Sequence, residues 1–154
     1  MRKSLLLSFM LFAAASLGLV VPEKCFGALG GSTESVVTDQ ARLKAARMVV
    51  SRSGYEVHEI SSGDGTIVRE YVSPAGQVFG VSWKGPAIPD LSQLLGSSFQ
   101  EFKASVHPTP GRRRVAVVRN NNLVVDSTGH TRAFSGRAYL KSMLPGGVTE
   151  EVVQ

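Results

Sequence analysis

Three histidines, a few carboxylates near them and one run of arginines hold most of the chemistry open to this chain. Glu56 and His58 lie in the run YEVHEIS, and Arg69 and Glu70 in TIVREYV, a short turn away. Counting outward from that turn sets Ile60 against Ile67, His58 against Arg69 and Glu56 against Tyr71. An imidazole beside a guanidinium and carboxylates on an otherwise apolar face is costly unless the groups pair, and such clusters mark sites of acid–base chemistry. The same residues also serve as a polar cross-strand ladder, worth a few tenths to about 1 kcal/mol per pair. Asp126 and His130 flank Ser127-Thr128-Gly129 and are expected to face each other, an arrangement that orients an imidazole as a base or ligand. No activated serine or cysteine stands beside them. The plainer reading is a turn aspartate bonding its own backbone next to an exposed histidine.

His58, His107 and His130 follow no metal-ligand spacing, so no metal and no cofactor is expected. Arg112-Arg113-Arg114, with Lys103 and Arg119 near in sequence, is the one basic patch. It suits the phosphates of an anionic envelope component, or simply a solvated strand entry that discourages edge pairing. No aromatic residue is interleaved with it, so no nucleic-acid partner is expected. Tyr71, Phe79 and Trp83 recur at a period suited to a buried strand face and read as core. The glycine-rich pieces GALGGS and SSGDGT lack both the phosphate-loop lysine and the dinucleotide-binding spacing.

Positioning these residues falls to two meanders and two helices. A helix is expected from a cap at Ser35, Thr38 or Asp39 to about Val50 or Ser51, ended by Ser53-Gly54. Residues 55–84 then read as three strands joined by turns at Gly63-Asp64-Gly65 and Ser73-Pro74-Ala75-Gly76. In the second hairpin Tyr71 is set against Phe79, Arg69 against Val81 and Ile67 against Trp83. Strand alternation then gathers Ile60, Ile67, Tyr71, Phe79, Val81 and Trp83 on one face. The other face is partly apolar too, so either both faces are covered or a bulge shifts the phase. Asp90 caps a second helix through Leu91, Leu94, Leu95, Phe99 and Phe102, with Gln93 as capping-box partner and Gly96 in its middle. Strands at 113–119, 123–126 and 130–140 follow, with turns at Asn120-Asn121-Asn122 and Ser127-Thr128-Gly129 and a bend or bulge at Gly136. The fold class expected is α+β: an antiparallel sheet of about six strands, two three-stranded meanders with two main helices packed on it, in the order αβββαβββ.

Residues 1–27 read as a signal peptide. Met1-Arg2-Lys3 is a basic start, Leu5 to Val21 an apolar core too short and too rich in small residues for a typical span, and cleavage is placed after Gly27. No basic stop-transfer cluster follows, so no transmembrane segment is expected after cleavage. Residues 28–154 are then one domain, large enough for one core. The leader carries away Cys25, the single cysteine, leaving an exported chain without a disulfide. Arg2, Lys3, Lys24 and Glu23 go with it, and the formal charge drops from +5 to +3.

Taken together, Ala28-Leu29-Gly30-Gly31, the Gly54 to Ile60 and Val68 to Gly76 stretches, Trp83-x-Gly85-Pro86, Pro89-Asp90-Leu91-x-x-Leu94-Leu95-Gly96 and the run from Gly129 to Leu140 carry a resemblance. The chain resembles a family of small exported proteobacterial proteins catalogued as a domain of unknown function. The resemblance implies export and a single domain, and carries over no activity, cofactor or catalytic residue. The functional expectation is an exported envelope protein, periplasmic or secreted, that binds a partner protein or an anionic envelope component without catalysis. Its site candidates are Glu56, His58, Arg69, Glu70, Asp126 and His130, with Arg112, Arg113 and Arg114 as an anionic-partner patch. The alternative is a small periplasmic hydrolase or metal-dependent enzyme using the His58/Arg69 region, with Glu59, or Asp126/His130.

Overall fold

The computed structural model describes residues 29–34, 36, 46–106 and 115–154. Among the described residues seven strands form one sheet in which every neighbouring pair is antiparallel. They are β1 (Ala46–Arg52), β2 (Tyr55–Ser61), β3 (Ile67–Val72), β4 (Val78–Gly85), β5 (Ala116–Arg119), β6 (Leu123–His130) and β7 (Ala133–Leu140). Their order across the sheet is β1-β2-β3-β4-β7-β6-β5. Between β4 and β5 runs the helical stretch 91–105: α1 (Leu91–Leu95), one 3-10 turn (Gly96–Ser98) and α2 (Phe99–Ser105). In the chain it leads from the inner strand β4 toward the far edge strand β5, from which β6 and then β7 return until β7 pairs with β4.

This is mostly a sheet, and the expected six strands under two main helices are corrected on both counts. The residues expected to finish the first helix are β1 instead, paired with β2 from Ala46↔Ser61 to Arg52↔Tyr55. Val49 and Val50 are β-branched and suit a strand. Gly54, at φ +85°, serves a tight hairpin rather than a helix end. The proposed caps of that helix, Ser35, Thr38 and Asp39, lie outside the described residues, as do the signal segment, His107 and Arg112–Arg114. The helical stretch 91–105 does start at Asp90, whose carboxylate accepts from Ser92 N at 2.9 Å and Ser92 Oγ at 2.6 Å. Gly96 breaks it, with φ at +51°.

The meander over 55–84 stands, but its register is one residue from the expected one. Ile60 pairs with Val68, His58 with Glu70 and Glu59 with Arg69. In the next hairpin Val68 pairs with Trp83, Arg69 with Ser82 and Tyr71 with Gly80. A one-residue slip exchanges the faces of a strand. A bulge between Tyr71 and Val72 then brings Val72 opposite Val78, and Phe79 is the extra residue. Of the six residues expected on one face, five divide between two cores and Ile67 belongs to neither. Ile60, Val81 and Trp83 join Val68, Leu94, Leu95, Phe102, Leu123, Val125 and Ala138 in a core beneath the helical stretch. Tyr71 and Phe79 join Val124, Tyr139 and Val153 in a second, smaller core on the opposite face. Both alternatives raised by the apolar pattern hold in part: the second face is covered over its smaller core only, and a bulge shifts the phase.

The last hairpin is corrected as well. Ser127-Thr128-Gly129 is not a turn but the end of β6, paired with Phe134–Gly136 of β7. The chain reverses at Thr131-Arg132, where Arg132 takes φ +61°. Gly136 is neither bend nor bulge, for the pairing runs straight through it. A Cβ there would lie 2.2 Å from the Trp83 ring, so the missing side chain is what lets the indole lie flat on β7.

Candidate functional site

Because the pairing is continuous, side chains line up in rows that cross all seven strands. One row on the helix-covered face runs Val49, His58, Glu70, Val81, Ala138, Val125, Val118. The next row, on the opposite face, runs Met48, Glu59, Arg69, Ser82, Arg137, Asp126, Val117. One further row on that face runs Val50, Val57, Tyr71, Gly80, Tyr139, Val124, Arg119.

The segment after β7 lies over this third row. Val153 is fully buried, and a Cβ on Gly80 would come within 2.8 Å of its side chain. The close approach therefore depends on glycine at 80. The main-chain oxygen of Gln154 accepts from Tyr71 Oη at 2.6 Å, Ser82 Oγ at 3.0 Å and Arg69 Nη1 at 3.4 Å. Arg137 Nη1 reaches the Val153 oxygen at 3.4 Å. Burial, with Glu150 adding to it, pushes the Tyr139 phenol above its ordinary value, so that ring stays neutral at physiological pH.

Beyond Gln154 the face is open. Arg69 Nε donates to Glu59 Oε2 at 2.9 Å, and Asp126 takes Arg119 at 2.7 Å on one oxygen and Arg137 at 3.4 Å on the other. A cavity of about 340 Å3 is bordered here by Arg69, Lys84, Val117, Asp126, Arg137 and Gln154. A second, of about 590 Å3, spreads toward Met48, Val50 and Val57 and shares Arg69, Lys84 and Gln154 with the first. Lys84 is exposed, and among the described residues no carboxylate lies within ion-pair distance of it. Val117 is 51% exposed and Val115, just before β5, 37%.

The residues singled out from sequence are thus split between faces. His58 and Glu70 are opposite each other but fully buried on the helix-covered face. His58 Nε2 lies 3.3 Å from Glu56 Oε2, while its Nδ1 has no hydrogen-bond partner among the described residues. Arg69, expected opposite His58, projects from the other face toward Glu59. Asp126 and His130 do not face each other: both lie on β6, four residues and so about 13 Å apart. Asp126 is instead held by Arg119 and Arg137. Sequence reasoning missed Arg137, Lys84, Ser82 and Val117 as members of one surface. Only the order of the strands, with β7 beside β4, brings them together. Among the described residues no group of three or more His, Asp or Glu side chains is placed to hold a metal ion, and no helix is long and apolar enough to cross a membrane.

Over residues 25–153 the sequence matches the model of a family described as a protein of unknown function, DUF2844. The chain belongs to that family. The match spans the sheet and the segment that closes its second core, so the DUF2844 unit takes in both faces described above. No curated protein and no solved structure matches the chain.

Proposed function

We propose that this DUF2844 protein is an exported binding module of the cell envelope that acts without catalysis and holds its partner on the open face of the sheet. Export is supported by the basic, apolar and small-residue succession of residues 1–27. Binding rests on one observation: the groove past Gln154, where Arg69, Lys84 and Arg137 outnumber Asp126 and where Val115 and Val117 leave apolar surface uncovered. A concave surface with apolar walls and a few convergent polar groups is the ordinary form of a ligand site. A role without catalysis is supported by how the titratable groups are placed. His58 is sealed on one side of the sheet, whereas the carboxylates of the open side, Glu59 and Asp126, are already engaged by arginines.

The test uses the protein recovered from cells making the full chain. Its amino terminus is read by mass spectrometry, with Ala28 expected first. Binding to fractionated envelope extract is then compared with that of Val117→Arg and Lys84→Glu variants, both at exposed positions that tolerate change. About a tenfold loss of the bound component is expected in each. Undiminished binding in both variants would remove the open face from the account, and an unprocessed leader would remove export.

A further inference from the structure

We infer that the smaller groove holds a single-chain amphiphile with a carboxylate head. This rests on the reading of the open face as a binding surface and goes further in naming the ligand class. The groove is divided in kind along its length. On the β5 side, Val115 and Val117 form an apolar wall that nothing among the described residues covers. On the β4 side stands Lys84, the lining cation with no carboxylate in reach. Thr128 and Ser135 border the same end, and Ser135 stands opposite Lys84 across β4 and β7.

Charge decides the head group. Arg69 pairs with Glu59, and Arg119 and Arg137 share Asp126, so Lys84 is the lining cation left without a carboxylate to balance it. One negative charge meets that need. A phosphate dianion would bring a second charge that Lys84 alone does not match. The valines decide the tail, because a small soluble anion leaves them wet, while an alkyl chain laid from Lys84 toward Val117 buries them. A neutral apolar molecule would cover the valines but strip water from Lys84 without replacing it, which opposes binding. At about 340 Å3 the space lies at the small end of ligand sites and suits one chain, not two.

The experiment is a calorimetric titration of the protein recovered from cells making the full chain, with hexanoate, octanoate and decanoate below their micelle concentrations. Affinity is expected to rise about two- to fourfold per added methylene until the groove is filled. 1-Octanol is expected to bind at least tenfold more weakly than octanoate, and inorganic phosphate not measurably. Lys84→Gln should lower octanoate affinity about tenfold, and Val117→Asp should abolish it. Circular dichroism is expected to show both variants folded, since both positions are exposed. Equal binding of octanol and octanoate, an affinity independent of chain length, or an unchanged Lys84→Gln variant would each overturn the inference. So would binding to anionic lipid vesicles with none to monomeric alkanoate, which would make this a membrane surface. If no alkanoate binds while Val117→Arg still loses its envelope component, the ligand class falls and the open-face reading stands. If neither is seen, both fall.

Discussion

His58 and Glu70 face each other across β2 and β3 on one side of the sheet, and Glu59 and Arg69, the next residues along, face each other on the other. The strands and the pairing are the same, and only the covering differs. His58 and Glu70 are 1% and 0% exposed, whereas the side chains of Arg69 and Glu59 are 36% and 24% exposed. A polar group sealed from water is bound tightly into the packing around it, while a half-wetted ion pair exchanges solvent for partner at little net gain. The helix-covered row is therefore structural in character, and the open row is free to meet something else.

The largest effect expected tests the covered side. His58→Ala removes a ring fully buried on the helix-covered face and should lower stability by about 3 kcal/mol, read from urea unfolding. A loss below about 1 kcal/mol would erase the distinction between the faces. Val153→Ala comes next, at about 2 kcal/mol, because Val153 is the buried lid of the second core. Its effect sharpens the comparison by showing how much of the open face is in fact closed. Arg69→Ala should cost only about 0.5–1 kcal/mol, since its pair with Glu59 is partly solvated. A cost equal to that of His58→Ala would again break the contrast.

The smallest effect lies in the turn that sets the rows. Ser62 and Thr66 hydrogen bonds hold the Asp64 carboxyl below its ordinary value of 3.8. A depressed carboxyl contributes stability at higher pH that is lost as pH falls through its folded value. Asp64→Asn should therefore leave stability less sensitive to pH below about 4, a difference visible in unfolding curves on an acid series.

That turn also shows what the sequence disclosed and what it did not. Glycine and proline placed both hairpins of the meander correctly, because Gly65 and Gly76 do take positive φ. Turn chemistry did not fix the count. Asp64 binds Thr66 N at 2.9 Å and Ser62 N bonds to Thr66 O at 2.9 Å, so the strands close at Ser61↔Ile67, one residue tighter than expected. The second hairpin slips separately, at its bulge, so Ile60, Val81 and Trp83 keep one face while Tyr71 moves to the other. By sequence Gly54 suits a helix end, and the same residue serves a hairpin equally well. Gly129 was read as a turn, although it is a strand residue kept bare for the Phe134 ring, to which a Cβ there would come within 2.2 Å. Glycine marks a need for room or for positive φ, and local sequence does not say which. The open face was invisible for a different reason: its members come from strands far apart in the chain, and no periodicity records which strands end up as neighbours.

The tether of Gln154 to Tyr71, Ser82 and Arg69 bears on how the protein should be handled. Any peptide joined after position 154 starts at the junction of the two cavities, so an affinity tag or reporter placed there would begin in the mouth of the smaller groove. Fusions attached upstream of Leu29, or immobilisation through lysines away from Lys84, would leave that mouth clear.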